Sequence, residues 1–116
     1  MNPNQLIMKL SKSTGYPVAP DIYEGDSDKY IIFVNTDERG ELFGDDKELL
    51  TTSRFYISFY CPHSYNNLSD RRKIKIELVK LGFQVESVSS YLEKTLDGTD
   101  YTRRTLYEVN YTSKED

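Results

Sequence analysis

Cys61 and His63, separated by Pro62, are the one pair in the chain with the residue types of a nucleophile and its base. A neighbouring imidazole can take the proton from a thiol, and residues two apart on a strand point the same way. The rest of such a site is missing. His63 is the only histidine, and Pro62 distorts the backbone between the two groups. A buried small cysteine at a strand end is the plainer reading. Two ligands are too few for structural zinc, and the acids of residues 37–48 lack the alternating oxygen spacing and central glycine of a calcium loop. Gly40 and Gly44 stand alone in an acidic stretch that would repel phosphate, and no phosphate-loop or dinucleotide fingerprint occurs. An acidic chain always offers carboxylate pairs for glycosidic chemistry, but nothing here selects one. The expectation is no catalytic residue, no cofactor and no metal.

Charge is organised where catalytic groups are not. Residues 37–48, DERGELFGDDKE, hold six acids (Asp37, Glu38, Glu41, Asp45, Asp46, Glu48) against Arg39 and Lys47, a local balance of −4. That equals the net charge of the whole chain, so the remainder is neutral on balance. Arg71, Arg72, Lys73 and Lys75 form the opposite patch. Four cations without interleaved aromatics, in an acidic protein, make a poor nucleic-acid footprint. The net negative charge also disfavours anionic membrane surfaces. Such a patch is a solvated face or half of an ion-pairing interface. The acidic stretch of a neighbouring copy would supply the other half, as in a head-to-tail ring. The interface candidates are therefore Asp37, Glu38, Glu41, Asp45, Asp46, Arg71 and Arg72, joined by Ile76, which the helix below leaves exposed.

These residues need elements to carry them. At 116 residues, 37% hydrophobic and 29% charged, the chain reads as a single polar globular domain over residues 1–116, with a tail frayed from about residue 113. The ten tyrosines and five phenylalanines favour strands and interfaces, where a ring is buried while a tyrosine hydroxyl stays wet. Asn2 and Pro3 start a short helix over about 3–13 that Gly15 stops, with Leu6, Ile7 and Leu10 on one side. Prolines at 17 and 20 keep Tyr16–Gly25 at a sheet edge or in an extended arm. Lys29–Thr36 reads as a strand, 37–48 as a loop, and Arg54–Cys61 as a strand with Phe55, Ile57, Phe59 and Cys61 on one face.

Leu68–Leu81 can be read as a strand at Lys73–Leu78, where apolar residues alternate, or as a helix. The alternation fails at Val79-Lys80-Leu81, and the ends fit a helix: Asn67 or Ser69 caps the start, Gly82 ends it, and Phe83 packs back on Leu78. A wheel places Leu68, Ile74, Leu78, Val79 and Leu81 on the inner face and leaves Ile76 outside. A hairpin turning at Asp97-Gly98 follows, with Leu92 opposite Arg103, Ser90 opposite Thr105 and Val88 opposite Tyr107. The fold class is α+β: a two-layer sandwich of a mainly antiparallel four-stranded sheet with two helices on one face, in the order α-β-β-α-β-β.

The longest apolar run, Tyr30–Val34, is far short of a membrane span, and the N-terminus lacks a signal-peptide layout. The lone cysteine cannot form an internal disulfide, which suits a reducing cytoplasm.

Several of these segments together resemble the small tail-terminator, or tail-completion, proteins of long-tailed bacteriophages and prophages of Gram-positive hosts. The resemblance rests on Tyr16-Pro-Val with Tyr23 after it, Lys29-Tyr-Ile-Ile-Phe, Gly44-Asp-Asp ahead of Phe55–Tyr60, and Lys80-Leu-Gly-Phe83. It continues in Tyr91-Leu-Glu-Lys-Thr-Leu-Asp97 and Arg104-Thr-Leu-Tyr-Glu-Val-Asn-Tyr111. It spans roughly residues 16–111 and lies in sheet and turn residues. It implies a homo-oligomer, a hexameric ring, on the head-proximal end of the tail tube, which stops polymerisation of the tube protein and presents a surface to the head connector. The protein would stand in the host cytoplasm during assembly and then in the virion, at the head–tail junction. The alternatives are a head-closure or connector protein of the same region, a non-enzymatic binding module that uses its tyrosine-rich strands, and a small hydrolase or nuclease.

Overall fold

A computed structural model describes residues 2–43, 48–95 and 97–115, without the side chains of 41–43, 48–49 and 114–115. The chain opens with α1 (Pro3–Met8) and α2 (Leu10–Thr14), which run together as one joined helix. Asn2 and Gln5 exchange side-chain bonds with each other's backbone N–H in a capping box, and Gly15 closes the helix at φ +80. Ile7 and Leu10 point into the core with no exposed surface.

The strands are β1 (Val18–Pro20), β2 (Tyr30–Phe43), β3 (Glu48–Pro62), β4 (Gln84–Lys94) and β5 (Tyr101–Glu115), with α3 (Leu68–Lys80) between β3 and β4. They form one five-stranded sheet in the order β1-β2-β3-β5-β4. The fold is therefore α+β as expected, but the sheet is five-stranded and mixed, because the segment with two prolines adds a strand. Val18 pairs with Ile31 and Pro20 with Phe33 in parallel. Pro20 has no N–H to give, so the ladder is closed by Ile31 N–H to the Pro17 carbonyl and Asp21 N–H to the Phe33 carbonyl, at the sheet edge where proline is tolerated.

A second correction concerns strand length. Of the expected loop, residues 37–43 and 48 are ladder, continued by 49–53: Glu38 pairs with Ser53, Gly40 with Thr51 and Leu42 with Leu49, after an irregularity between Asn35 and Asp37. The frayed end is likewise strand, since Ser113 pairs with Thr51 and Lys114 with Leu50. Beyond the Gln84–Asn110 pair, β2, β3 and β5 thus run on as a three-stranded ribbon, which accounts for extents of 58 × 24 × 23 Å.

The helices cover one sheet face. Ile31, Phe33, Phe55, Ile57, Phe59, Cys61, Tyr107 and Val109 meet Ile7, Leu10, Ile74, Leu78 and Phe83 in one core cluster. The hairpin register is the expected one, Leu92 opposite Arg103, Ser90 opposite Thr105 and Val88 opposite Tyr107. Its turn is wider than two residues, because Thr95 N–H bonds the Asp100 carbonyl across the loop. Leu92, expected on the buried side with Val88, Tyr107 and Val109, instead lies past the helices and is exposed.

At its C-terminus α3 ends as expected: Phe83 N–H bonds the Leu78 carbonyl, Gly82 N–H bonds the Val79 carbonyl, and Gly82 sits at φ +99. Its start differs. Asn67 makes no side-chain cap; its amide is buried and donates to Thr105 Oγ1 at 3.3 Å and to Cys61 Sγ at 3.7 Å. Two residues assigned to the inner face, Leu68 and Val79, are exposed, so α3 buries a narrow stripe around Ile74 and Leu78. Tyr107 anchors the helix to the sheet, its hydroxyl donating to the Arg71 carbonyl at 2.7 Å.

Candidate interaction surfaces

The sheet face away from the helices has no layer over it among the described residues. Strand alternation puts Tyr30, Ile32 and Val34 of β2 there, opposite Tyr60, Ser58 and Tyr56 of β3. Leu106 and Arg104 of β5 and Tyr91 of β4 continue the rows. The rings are ordered against one another. Tyr23 stacks on Tyr30 at 4.4 Å between centroids, and Tyr30 stacks on Tyr60 at 5.0 Å. Offset stacking of this kind adds to simple area burial. Burial pushes the Tyr30 and Tyr60 phenols above the ordinary tyrosine value, so these two hydroxyls keep their protons at neutral pH.

Polar groups on this face are largely satisfied from within. Arg104 donates from Nε to Ser58 Oγ at 3.0 Å and from Nη1 to Glu93 Oε1 at 3.4 Å, and Ser87 donates to Glu108 at 2.6 Å. What the face presents outward is tyrosine and aliphatic surface, the composition enriched at interface centres.

The second surface is the outside of α3. Ile76 is 53% exposed and Val79 56%, and with Arg72, Lys75 and Lys80 they line a shallow apolar groove with a basic rim. Ile76 is exposed as the helical wheel requires. Lys80 has Glu77 at 3.6 Å, whereas Arg71, Arg72, Lys73 and Lys75 enter no ion pair among the described residues.

The acidic candidates fall on the ribbon. Asp37 and Glu38 are exposed on β2, with Arg39 Nε at 3.2 Å from Asp37. Glu41 is in the strand with its side chain outside the described residues, and Asp45 and Asp46 lie outside them altogether. No ion pair joins the acidic and basic candidates among the described residues.

Cys61 and His63 are not brought together. The thiol is buried on the core face, where loss of water pushes its pKa up, while His63 stands on the surface with Nε2 at 3.4 Å from Asp100. Among the described residues, no three His, Cys, Asp or Glu side chains are placed to hold a metal ion. Within the same limits, no helix is long and apolar enough to cross a membrane.

The tyrosine ladder is a candidate surface that charge counting missed. Its signal was present in the Tyr56, Ser58 and Tyr60 side of the best strand, opposite the core residues. Compared with known proteins, the chain matches no family model and no curated sequence.

Proposed function

We propose that this protein is a non-enzymatic assembly subunit that works by docking, and specifically that it self-associates on the head-proximal end of a phage tail tube. There it stops tube polymerisation and offers a surface to the head connector. The observation that carries the docking role is the uncovered sheet face, where Tyr23, Tyr30, Tyr56 and Tyr60 lie beside Ile32 and Val34 and Tyr91 extends the tyrosine surface to β4. Burying such a face removes apolar area from water at about 25 cal/mol per Å², and the phenol tips can still reach water or partner acceptors. The tail-terminator assignment adds the resemblance over residues 16–111. On this reading the protein resides in the host cytoplasm during assembly and in the finished virion afterwards.

The test exploits residues that the fold does not need. Tyr56 and Val34 lie opposite each other, 37% and 38% exposed, so Tyr56→Lys, which faces Glu108, and Val34→Lys should fold with only a modest loss of melting temperature. Each should abolish complementation of a phage lacking the gene. Full complementation by both variants would remove this face from the proposal.

A further inference from the structure

A strained turn on one sheet edge presents an apolar knob. Ile22 N–H donates to the Pro20 carbonyl at 2.7 Å, closing a three-residue turn around Asp21, which sits at φ +63. Asp21 is the one non-glycine residue with positive φ among the described residues. Turns of this hand are rare, and such strain persists where the surroundings enforce it. The outcome is Ile22 at 69% exposure, more than any other large hydrophobic side chain described. Around it, residues 21–28 carry Asp21, Glu24, Asp26 and Asp28 and no base. The nearest cation is Lys29, at 4.0 Å from Asp28.

The shallow groove on α3 has the complementary make-up: Ile76 and Val79 supply apolar surface, and Arg72, Lys75 and Lys80 supply positive charge. The two features share no residue. Residues 21–28 follow the edge strand β1, while Ile76 and Val79 lie on the outward side of α3, which packs against α2 and β4. One copy can therefore give its knob to a second copy while its own groove receives a third, which is the requirement for a heterologous, propagating contact.

We propose that Ile22 of one copy seats between Ile76 and Val79 of the next, with the acids of residues 21–28 against Arg72 and Lys75. This contact rests on the assembly reading and gives it a residue-level interface. Side-chain burial supplies the affinity, and the charges select the partner surface and make the contact salt-sensitive.

Self-association of the full chain is followed by sedimentation velocity over a concentration series, and on tail-tube ends by electron microscopy. Ile22→Asp and Ile22→Ala should each weaken it by roughly tenfold or more. Two charge-swapped variants, Glu24→Lys with Asp26→Lys and Asp28→Lys, and Arg72→Glu with Lys75→Glu, should each associate poorly alone. Mixed together they should recover association, because every knob then meets a groove of opposite sign. Wild-type-like assembly by the Ile22 variants, or a mixture no better than its components, overturns the contact but leaves the assembly reading standing. A wild-type chain that associates neither alone nor on tube ends overturns both.

Discussion

Replacing Gly82 with alanine should destabilise the protein more than the same change at Gly15, and the difference isolates one contact. Both glycines end helices with positive φ, +80 at Gly15 and +99 at Gly82. A Cβ in that region costs an L-residue roughly 1–2 kcal/mol at either site. At Gly15 the added methyl meets nothing within 4 Å, whereas at Gly82 it stands 3.2 Å from Tyr111 Cε2. Tyr111 cannot simply withdraw, because its ring packs on Phe83 with centroids 5.1 Å apart. Displacing a packed ring adds about 1 kcal/mol or more, so Gly82→Ala should cost about 2–3 kcal/mol against about 1–2 for Gly15→Ala. At on the order of 4 °C per kcal/mol for a domain of this size, the melting temperatures should fall by about 8–12 °C and 4–8 °C. Thermal and urea unfolding would measure both. In a Tyr111→Ala background the excess at Gly82 should vanish, since contacting residues couple. Equal costs at the two glycines, or an excess that survives without Tyr111, would refute the packing argument.

Tyr107→Phe removes the hydroxyl bonded to the Arg71 carbonyl and should cost about 1 kcal/mol, with earlier amide exchange in α3 than in β3. Cys61 should stay unreactive toward a thiol reagent at pH 8 in the folded protein and react fully in denaturant, because burial raises its pKa and blocks access. Asp97 is pulled down to about 2 by bonds from Thr95 and from the backbone and hydroxyl of Thr99. A carboxylate with a folded pKa below its unfolded 3.8 adds stability above that value and loses it as pH falls toward 2. NMR titration of Asp97 should show the low midpoint, and Asp97→Asn should flatten the loss of turn stability over that pH window.

The parts of the fold legible in the sequence were those with one buried face. The β4–β5 register followed from parity, because a one-residue slip would turn Val88, Tyr107 and Val109 out of the core. The helix ends followed from glycine and the Asn2-Pro3 start. The ribbon was not legible, because a strand wet on both sides has no period-two signal, and Asp37–Glu41 reads as loop by composition. The backbone ladder with β3 and contacts such as Thr52 Oγ1 to Thr112 Oγ1 at 2.9 Å hold it instead. Asn67 resembled a cap locally, but its partners, Cys61 and Thr105, are distant in sequence or across the sheet. The surfaces were legible in part. Arg71, Arg72 and Ile76 were found by charge and helical phase, whereas the tyrosine ladder needed the knowledge of which sheet face the helices leave open. Tyr16–Gly25 read only as a sheet edge or extended arm, because the strain at Asp21 and the exposure of Ile22 are properties of the fold.

The length distribution of tail tubes, measured by electron microscopy with and without this protein, decides whether it terminates the tube. Tubes of one defined length that carry the protein at the head-proximal end, against tubes of uncontrolled length in its absence, are the predicted result. Tubes of the same defined length in both preparations would contradict it.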